Sequence, residues 1–398
     1  MPPIAPRIAE MNAGGSDGWE VFYRARAMAA SGLPVTELTI GEHDIRTDPA
    51  ILHAMHASAM GGHTGYAAVP GTPELRAAIA ERVQARTGIA TGPDNVLVTP
   101  GAQAALFAAH MLACPPGAAA LYVDPCYTTY PGTIRAASAR AVPVATRPEA
   151  GFLPDADALE AAAAQTGARS LLVNTPNNPT GAVYPRATLM GIARVARACD
   201  LWLISDEVYE GQVWQGTHLS PRALPGMSER TLVIGSMSKG HAMTGARLGW
   251  IVGPEAAVAH LIDLATVTTY GVPGFIQDAA LFALREGPAH EAQVAAPFAR
   301  RRRIAEAVLR DAPGLRLLPA EGAMYLMLDI RATGLSGAAF AQGLLETQRI
   351  AVMPGESFGR AAAGHVRVAM TVPDAAFEDA LRRLASFAAD RSTRAARA

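Results

Sequence analysis

The strongest constraint on this chain is an alternation that runs through its middle. Short apolar runs at 119–123, 141–144, 170–174, 201–205, 231–236 and 248–252 read as strands. Helical patterns at 127–137, 155–164 and 188–199 separate several of them. Upstream, Asn95 to Thr99 reads as a strand and Gly101 to Leu112 as a helix that Cys114-Pro115-Pro116-Gly117 breaks. Strands that are apolar throughout must be covered on both faces. Their alternation with helices therefore predicts a mostly parallel α/β sheet. The block spans roughly 45 to 285, and 398 residues leave room for a second, smaller unit.

The flanks read differently. Trp19, Phe22, Tyr23, Ala27 and Ala30 give residues 16–31 the spacing of an amphipathic helix, and Ser31-Gly32-Leu33-Pro34 stops it. A strand at 35–40 enters Gly41-Glu42. Thr72 is expected to cap a helix whose first turn holds Pro73 and whose buried face is Leu75, Ile79 and Val83. A long helix, 291–309, carries Arg300-Arg301-Arg302-Arg303, either a nucleic-acid patch or a solvated face near a domain hinge. Lys plus Arg is 34 against Asp plus Glu 35, which favours the solvated face and gives no pull toward nucleic acid or anionic membrane. Strands at 315–318, 323–329, 350–354 and 365–369, with helices at 336–346 and 373–389, suggest a small α+β domain before a frayed tail at 391–398. The expected division is an N-terminal segment, 1–44, a large domain, 45–285, and a small domain, 286–398.

Composition removes several classes. Hydrophobic residues are 50% and charged residues 17%, which suits a globular chain and not a disordered one. Cys114, Cys126 and Cys199 are too widely spaced for a disulfide framework or a CxxC metal site, so no metal and a reducing compartment are expected. Met1 to Asn12 has charges and no apolar core, unlike a signal peptide, and no run of 18 apolar residues offers a membrane span. A cytoplasmic protein is expected.

Four polar segments follow predicted strands, where doubly wound sheets bind ligands. They are Asn174 to Gly181, Ser205 to Tyr209, Ser236 to Lys239 and Thr99 to Gln103. The chain has few lysines, its basic total being almost all Arg, and an amine can form a Schiff base where a guanidinium cannot. Lys239 is thus either such an amine or an ordinary surface lysine. Asp206 ends the apolar run Leu201-Trp202-Leu203-Ile204, where a carboxylate needs a partner. A cation, a protonated ring nitrogen or a strand-end turn would each serve. Ser236, Ser238, Arg247 and the helix start at Gly101-Ala102-Gln103 could form a phosphate site. Neither a Walker loop nor a GxGxxG fingerprint is present, so the phosphate would not be a nucleotide's in a standard loop.

At these motifs the sequence resembles the fold-type I pyridoxal-phosphate enzymes, specifically the class I/II aminotransferases related to aspartate aminotransferase. Asn177-Asn178-Pro179-Thr180-Gly181, Ser205-Asp206-Glu207-Val208-Tyr209 and Ser236-Met237-Ser238-Lys239 with the following segment to Gly249 stand in family order. The resemblance runs from about Trp19 to the last helix. It implies a large domain with a mostly parallel seven-stranded sheet, a smaller α+β domain and pyridoxal 5'-phosphate as cofactor. Lys239 would hold the cofactor and shuttle the proton. Asp206 would pair with the ring nitrogen, Asn178 and Tyr209 would bond the ring's oxygen, and Tyr127 would stack on the ring. Ala102, Gln103, Ser236, Ser238 and Arg247 would hold the phosphate, joined by Tyr66 across a homodimer interface. Arg367 would clamp the substrate α-carboxylate, with Gly41 close to it. The implied reaction moves an amino group between an α-amino acid and a 2-oxo acid.

The sequence also departs from the family. His43 stands where proline is usual, as a substrate contact or a loop filler, and Ala246 where a bulky residue is common. Tyr127 replaces the Trp or Phe also found there. One dicarboxylate-specific branch borrows an arginine from the partner subunit, but residues 255–284 contain neither Arg nor Lys, only His260. Strict aspartate specificity is therefore not expected, although aspartate is not excluded as a substrate. His43, the helix at Trp19 to Arg26, and Phe358 are candidates for side-chain selection. Two rival readings remain: a β-elimination lyase acting on cysteine conjugates, which would keep every cofactor residue, and a regulatory domain that binds pyridoxal phosphate without turnover, against which the intact set of Lys239, Asp206 and Arg367 speaks.

Overall fold

The computed structural model describes residues 2–12 and 18–396. A seven-stranded sheet fills the middle of the chain. Its strands are β2 (Val96–Thr99), β3 (Ala119–Asp124), β4 (Arg140–Ala145), β5 (Ser170–Asn174), β6 (Trp202–Asp206), β7 (Thr231–Ser236) and β8 (Gly249–Val252), in the order β2-β8-β7-β6-β5-β3-β4. Only β8 runs against its neighbours. The mostly parallel sheet expected from the alternation is present.

Side-chain alternation divides the core between the two faces. Leu97, Leu172, Ile204, Ile234 and Ile251 face the helices at Gly101–Ala113 and Glu255–Val267. On the other face, Leu171, Val173 and Leu203 meet Leu159, Leu189 and Ile192 of two helices, while Val98, Val233 and Trp250 meet Leu75, Ile79 and Ala280 of two more. Burying one such branched side chain contributes roughly 1.5–3 kcal/mol.

A second sheet combines the two ends of the chain. Its order is β1 (Thr36–Leu38), β11 (Ile350–Pro354), β12 (His365–Ala369), β10 (Tyr325–Asp329) and β9 (Arg316–Leu317). β1 is parallel to β11 and the remaining pairs are antiparallel. Leu326, Leu328, Val366 and Val368 pack against Phe340, Leu344, Phe377 and Leu381 of the covering helices.

Several local expectations need correction. The predicted helix at 16–31 begins at Glu20, and residues 16 and 17 lie outside the described part. Thr72 occupies the cap position of the helix Pro73–Thr87, but its side chain makes no cap bond; its backbone N–H instead donates to Gln277 Oε1 at 2.7 Å. The last helix runs from Asp374 to Ala395, so most of the expected frayed tail is helical. Arg301 is 3% exposed and bonds Asp44 and Asp374, whereas Arg300 and Arg302 pair nearer the surface. The arginine run is thus partly a buried clamp, not wholly a solvated face. The helices Pro49–Met60, Glu255–Val267 and Gly274–Glu286 were not expected. The first two are alanine-rich and show little of the polar–apolar contrast by which a helix face is recognised.

Candidate active site

Strand register brings the four polar segments together. Asn174 lies beside Asp206, and Asp206 beside Ile234 near the end of β7. Because β8 is reversed, its first residue, Gly249, lies beside both Ser236 and Thr99. The residues before β8 therefore reach the same sheet edge as those after β2, β5, β6 and β7. This places Arg247 with the strand-end motifs although it precedes a strand. A cavity of about 450 Å³ opens at this edge, and its wall includes Lys239, Asp206, Arg247, Asn178, Tyr209 and Arg367.

Asp206 forms a buried negative pole. Its carboxylate accepts hydrogen bonds from Tyr130 Oη at 2.6 Å and Val208 N at 3.2 Å. Asn174 Nδ2 donates to the Asp206 carbonyl and Asn174 Oδ1 accepts from Asn178 N, which ties β5, β6 and the following loop together. Burial pushes the Asp206 carboxyl up to about 6, with the Tyr130 hydrogen bond and the Lys239 charge opposing it. A cationic partner would restore full ionisation.

The opposite charge gathers at the start of the helix Gly101–Ala113. Gly101 has φ +77°, and a Cβ there would fall 2.3 Å from Arg247 Nη2. A Cβ on Gly249 would fall 2.7 Å from Ala102 N. These two glycines let the guanidinium, the helix start and β8 approach one another. Ala102, Gln103, Ser236 and Ser238 also line the cavity. Ser236 Oγ accepts from Ser238 N at 3.1 Å and donates to the Leu248 carbonyl at 3.2 Å. Backbone N–H groups, hydroxyls and a guanidinium together suit a phosphate dianion.

Lys239 is the only lysine in the chain, a sharper signal than scarcity alone. It lies in the short helix Met237–Gly240, and its Nζ donates to the Gly41 carbonyl. Gly41 also passes close to Tyr325, since a Cβ there would overlap the Tyr325 hydroxyl. Arg367, on β12, is 1% exposed. Its Nη1 donates to Asn178 Oδ1 at 2.8 Å and its Nη2 to the Thr39 carbonyl, while Nε has no protein partner. The guanidinium lies between Tyr325 and Phe358, 4.2 and 4.4 Å from their ring centroids. Burial works against its charge, so the site has a standing demand for an anion.

The sequence did not single out Tyr130 or Tyr325, and it gave Asn174 only as the start of a polar segment. Tyr325 is hydrogen-bonded to Tyr209, hydroxyl to hydroxyl, at 3.0 Å. Tyr127 lines the cavity, and burial lifts its hydroxyl to about 12. Among the selection candidates, Trp19, Phe22 and Tyr23 line the cavity, whereas Phe358 is buried against Arg367. His43 is not in the cavity wall. It packs edge-on against Phe298, and burial, with help from the Lys239 charge, lowers it to about 4. Tyr66 lies outside the cavity, 91% exposed and edge-to-face with Tyr270. No described helix is long and apolar enough to cross a membrane.

Comparison with known proteins agrees with this arrangement. Residues 34–384 match the family model for aminotransferase class I and II. An arginine–pyruvate transaminase from Pseudomonas aeruginosa is 44% identical over 377 residues, 94% of this chain and 95% of that protein. An aspartate/prephenate aminotransferase from Thermus thermophilus is 35% identical over 365 residues, 91% of this chain and 93% of that protein. The solved structure of the Thermus thermophilus aspartate aminotransferase with maleate superposes with a TM-score of 0.90 at 33% identity, covering 97% of this chain and 100% of that one. With the family model spanning both sheets and the strand-end motifs gathered in one cavity, the chain belongs to the class I and II aminotransferases.

Proposed function

We propose that this enzyme uses pyridoxal 5'-phosphate to move an amino group between an α-amino acid and a 2-oxo acid. One observation carries the reading. A single cavity is lined by the chain's only lysine, a buried carboxylate, an anion cradle that two glycines keep open, and a buried arginine with an unpartnered Nε. These groups fit the cofactor and one carboxylate-bearing substrate. Ala102, Gln103, Ser236, Ser238 and Arg247 would hold the phosphate. Asp206 would face the ring nitrogen, Asn178 and Tyr209 the ring oxygen, and Tyr127 the ring face.

The bound cofactor supplies an electron sink for the negative charge left at the substrate's α-carbon. The protein supplies position and protons. Arg367 binds the α-carboxylate, and the Tyr325–Phe358 stack fixes the plane of its fork. Lys239 Nζ, which lines the cavity, would take the α-proton as a base and hold it as an ammonium. Asp206 keeps positive charge near the ring nitrogen favourable, because a buried carboxylate is stabilised by an adjacent cation.

The same reading takes the two sheets as a large domain, 45–285, and a small domain combining 1–44 with 286–398. Tyr66 is proposed to serve a neighbouring subunit of a homodimer, and the compartment to be the cytoplasm. The test is a spectral titration of the holoenzyme with single amino acids and no acceptor. Stoichiometric conversion of the cofactor to its aminated form supports transamination. Release of pyruvate and thiol from cysteine conjugates, without such conversion, would establish β-elimination instead.

A further inference from the structure

Arg367 belongs to the five-stranded sheet, yet both rings that flank it are tied across to the seven-stranded one. Tyr325 reaches across through its hydroxyl, 3.0 Å from that of Tyr209, shortly after β6. The ring of Phe358 has no polar group with which to do the same, so its place depends on how its backbone is held. Cys126 N, just after β3, donates to the Phe358 carbonyl at 2.8 Å. Ala362, four residues on, packs with Phe152, which follows β4.

Between these two contacts lies Asp124, the last residue of β3, 5% exposed. Ala361 N is 3.4 Å from each of its carboxylate oxygens. Gly359 has φ +126°, and a Cβ there would overlap Asp124 Oδ1, so a glycine is needed for the chain to pass this close. Asp124 is itself fixed: its carbonyl accepts from Thr146 N at 2.9 Å and Thr146 Oγ1 at 2.8 Å. Burial raises its carboxyl, and the backbone N–H groups of Ala361 and Arg360 oppose that rise. A buried carboxylate is costly without such donors, and here they come from the loop behind Phe358. Asp124 is absent from the cavity wall, whereas Tyr127, three residues on, lines it.

We infer that Asp124 is a positioning residue for the substrate clamp: it holds Gly359–Ala361 across the two sheets, keeping Phe358 against Arg367 and so fixing the plane of the fork that takes the α-carboxylate. The inference rests on the aminotransferase reading, with Arg367 on that carboxylate. Asp124 acts through the loop and not by touching substrate. Its effect is therefore the same for every donor, whatever the donor's side chain.

The experiment measures donor kinetics in the holoenzyme with each of the twenty amino acids that wild type converts. Asp124→Ala should lower kcat/KM about tenfold with all of them, through KM, and leave cofactor affinity within about threefold. Asp124→Asn keeps one acceptor oxygen and should stay within about threefold of wild type. In an Arg367→Lys background, where the fork is already lost, Asp124→Ala should cost less than about threefold more. Hydrogen exchange at the Arg360 and Ala361 amides should quicken about tenfold in Asp124→Ala and not in Asp124→Asn. If the alanine variant does not fold, Asp124→Leu, close in size and without an acceptor, takes the same measurements. Unchanged KM in the acceptor-free variant overturns the inference. So does an equal loss in Asp124→Asn, or an undiminished loss in the Arg367→Lys background. No conversion of any amino acid by wild type would instead remove the aminotransferase reading.

Discussion

Tyr130 donates a 2.6 Å hydrogen bond to the carboxylate of Asp206 inside the core, joining the helix Tyr130–Ala136 to the end of β6. It is the shorter of the two bonds to that carboxylate, the other coming from Val208 N. It favours the ionised form that burial opposes. Tyr130→Phe should therefore raise the Asp206 pKa further and weaken the hold on a protonated ring nitrogen. A bond to a charged group contributes roughly 1.5–3 kcal/mol, so cofactor affinity should fall about ten- to hundredfold. Equilibrium dialysis of the cofactor measures this, and unchanged affinity would show that the bond does not serve the site.

The same carboxylate predicts a pH effect on the cofactor-free chain. Its folded pKa, about 6, lies above the ordinary value of 3.8. The folded state then holds the proton more tightly than the unfolded state. The stability this contributes is fully present below pH 3.8 and is lost as pH rises to about 6. Removing the titration with Asp206→Asn should make the apo chain more stable relative to wild type at pH 8 than at pH 4. The two-unit shift corresponds to about 3 kcal/mol. Denaturant unfolding at the two pH values reads the difference, and a gap of the opposite sign would contradict the assignment.

Lys239 being the only lysine makes its role directly readable. Borohydride reduction of the holoenzyme should leave one cofactor adduct, on the peptide containing Lys239, and Lys239→Ala should leave none while abolishing turnover. An adduct elsewhere, or turnover retained in the variant, would refute the role.

Arg367 should matter to substrate more than to cofactor. Arg367→Lys keeps the charge but loses the planar fork held between Tyr325 and Phe358. The expected result is a fall in kcat/KM of about a hundredfold, carried largely by KM, with cofactor affinity within about threefold of wild type. Loss of cofactor instead would mean that Arg367 supports the cofactor site.

Arg301 offers a test away from the chemistry. It joins the helix Pro288–Leu309 to Asp44 and Asp374, and also donates to the Met370 carbonyl. Arg301→Ala would leave Asp44 and the Met370 carbonyl without this partner, while Asp374 keeps Arg300, and should cost roughly 1.5–3 kcal/mol. Arg302→Ala, at a partly exposed pair with Glu306, should cost at most about 1 kcal/mol. Chemical denaturation distinguishes the two, and equal effects would show that burial of Arg301 is immaterial.

Much of this protein can be read from its sequence because the relevant signals are local. Asp206 ends an apolar run, Lys239 is a single amine after another, and the glycines at 41, 101 and 249 adjoin the polar motifs. Strand alternation gave the sheet, since side-chain period and burial on both faces are properties of short segments. The alanine-rich helices escaped for the same reason, as their segments carry little contrast.

The sequence by itself determined which residues hold charge at the strand ends and the α/β class of the sheet that carries them. Tertiary structure decided which of those charges meet. The reversal of β8 carries Arg247 to the edge occupied by Thr99 and Ser236. Packing set Tyr130 on Asp206, Tyr325 and Phe358 on Arg367, and His43 outside the cavity wall. Arg301 became a buried clamp because Asp44 and Asp374 converge on it from opposite ends of the chain. Most of these partners are separated by tens to hundreds of residues. No local periodicity records such contacts; they follow from close packing of elements whose relative positions exist only in the folded chain.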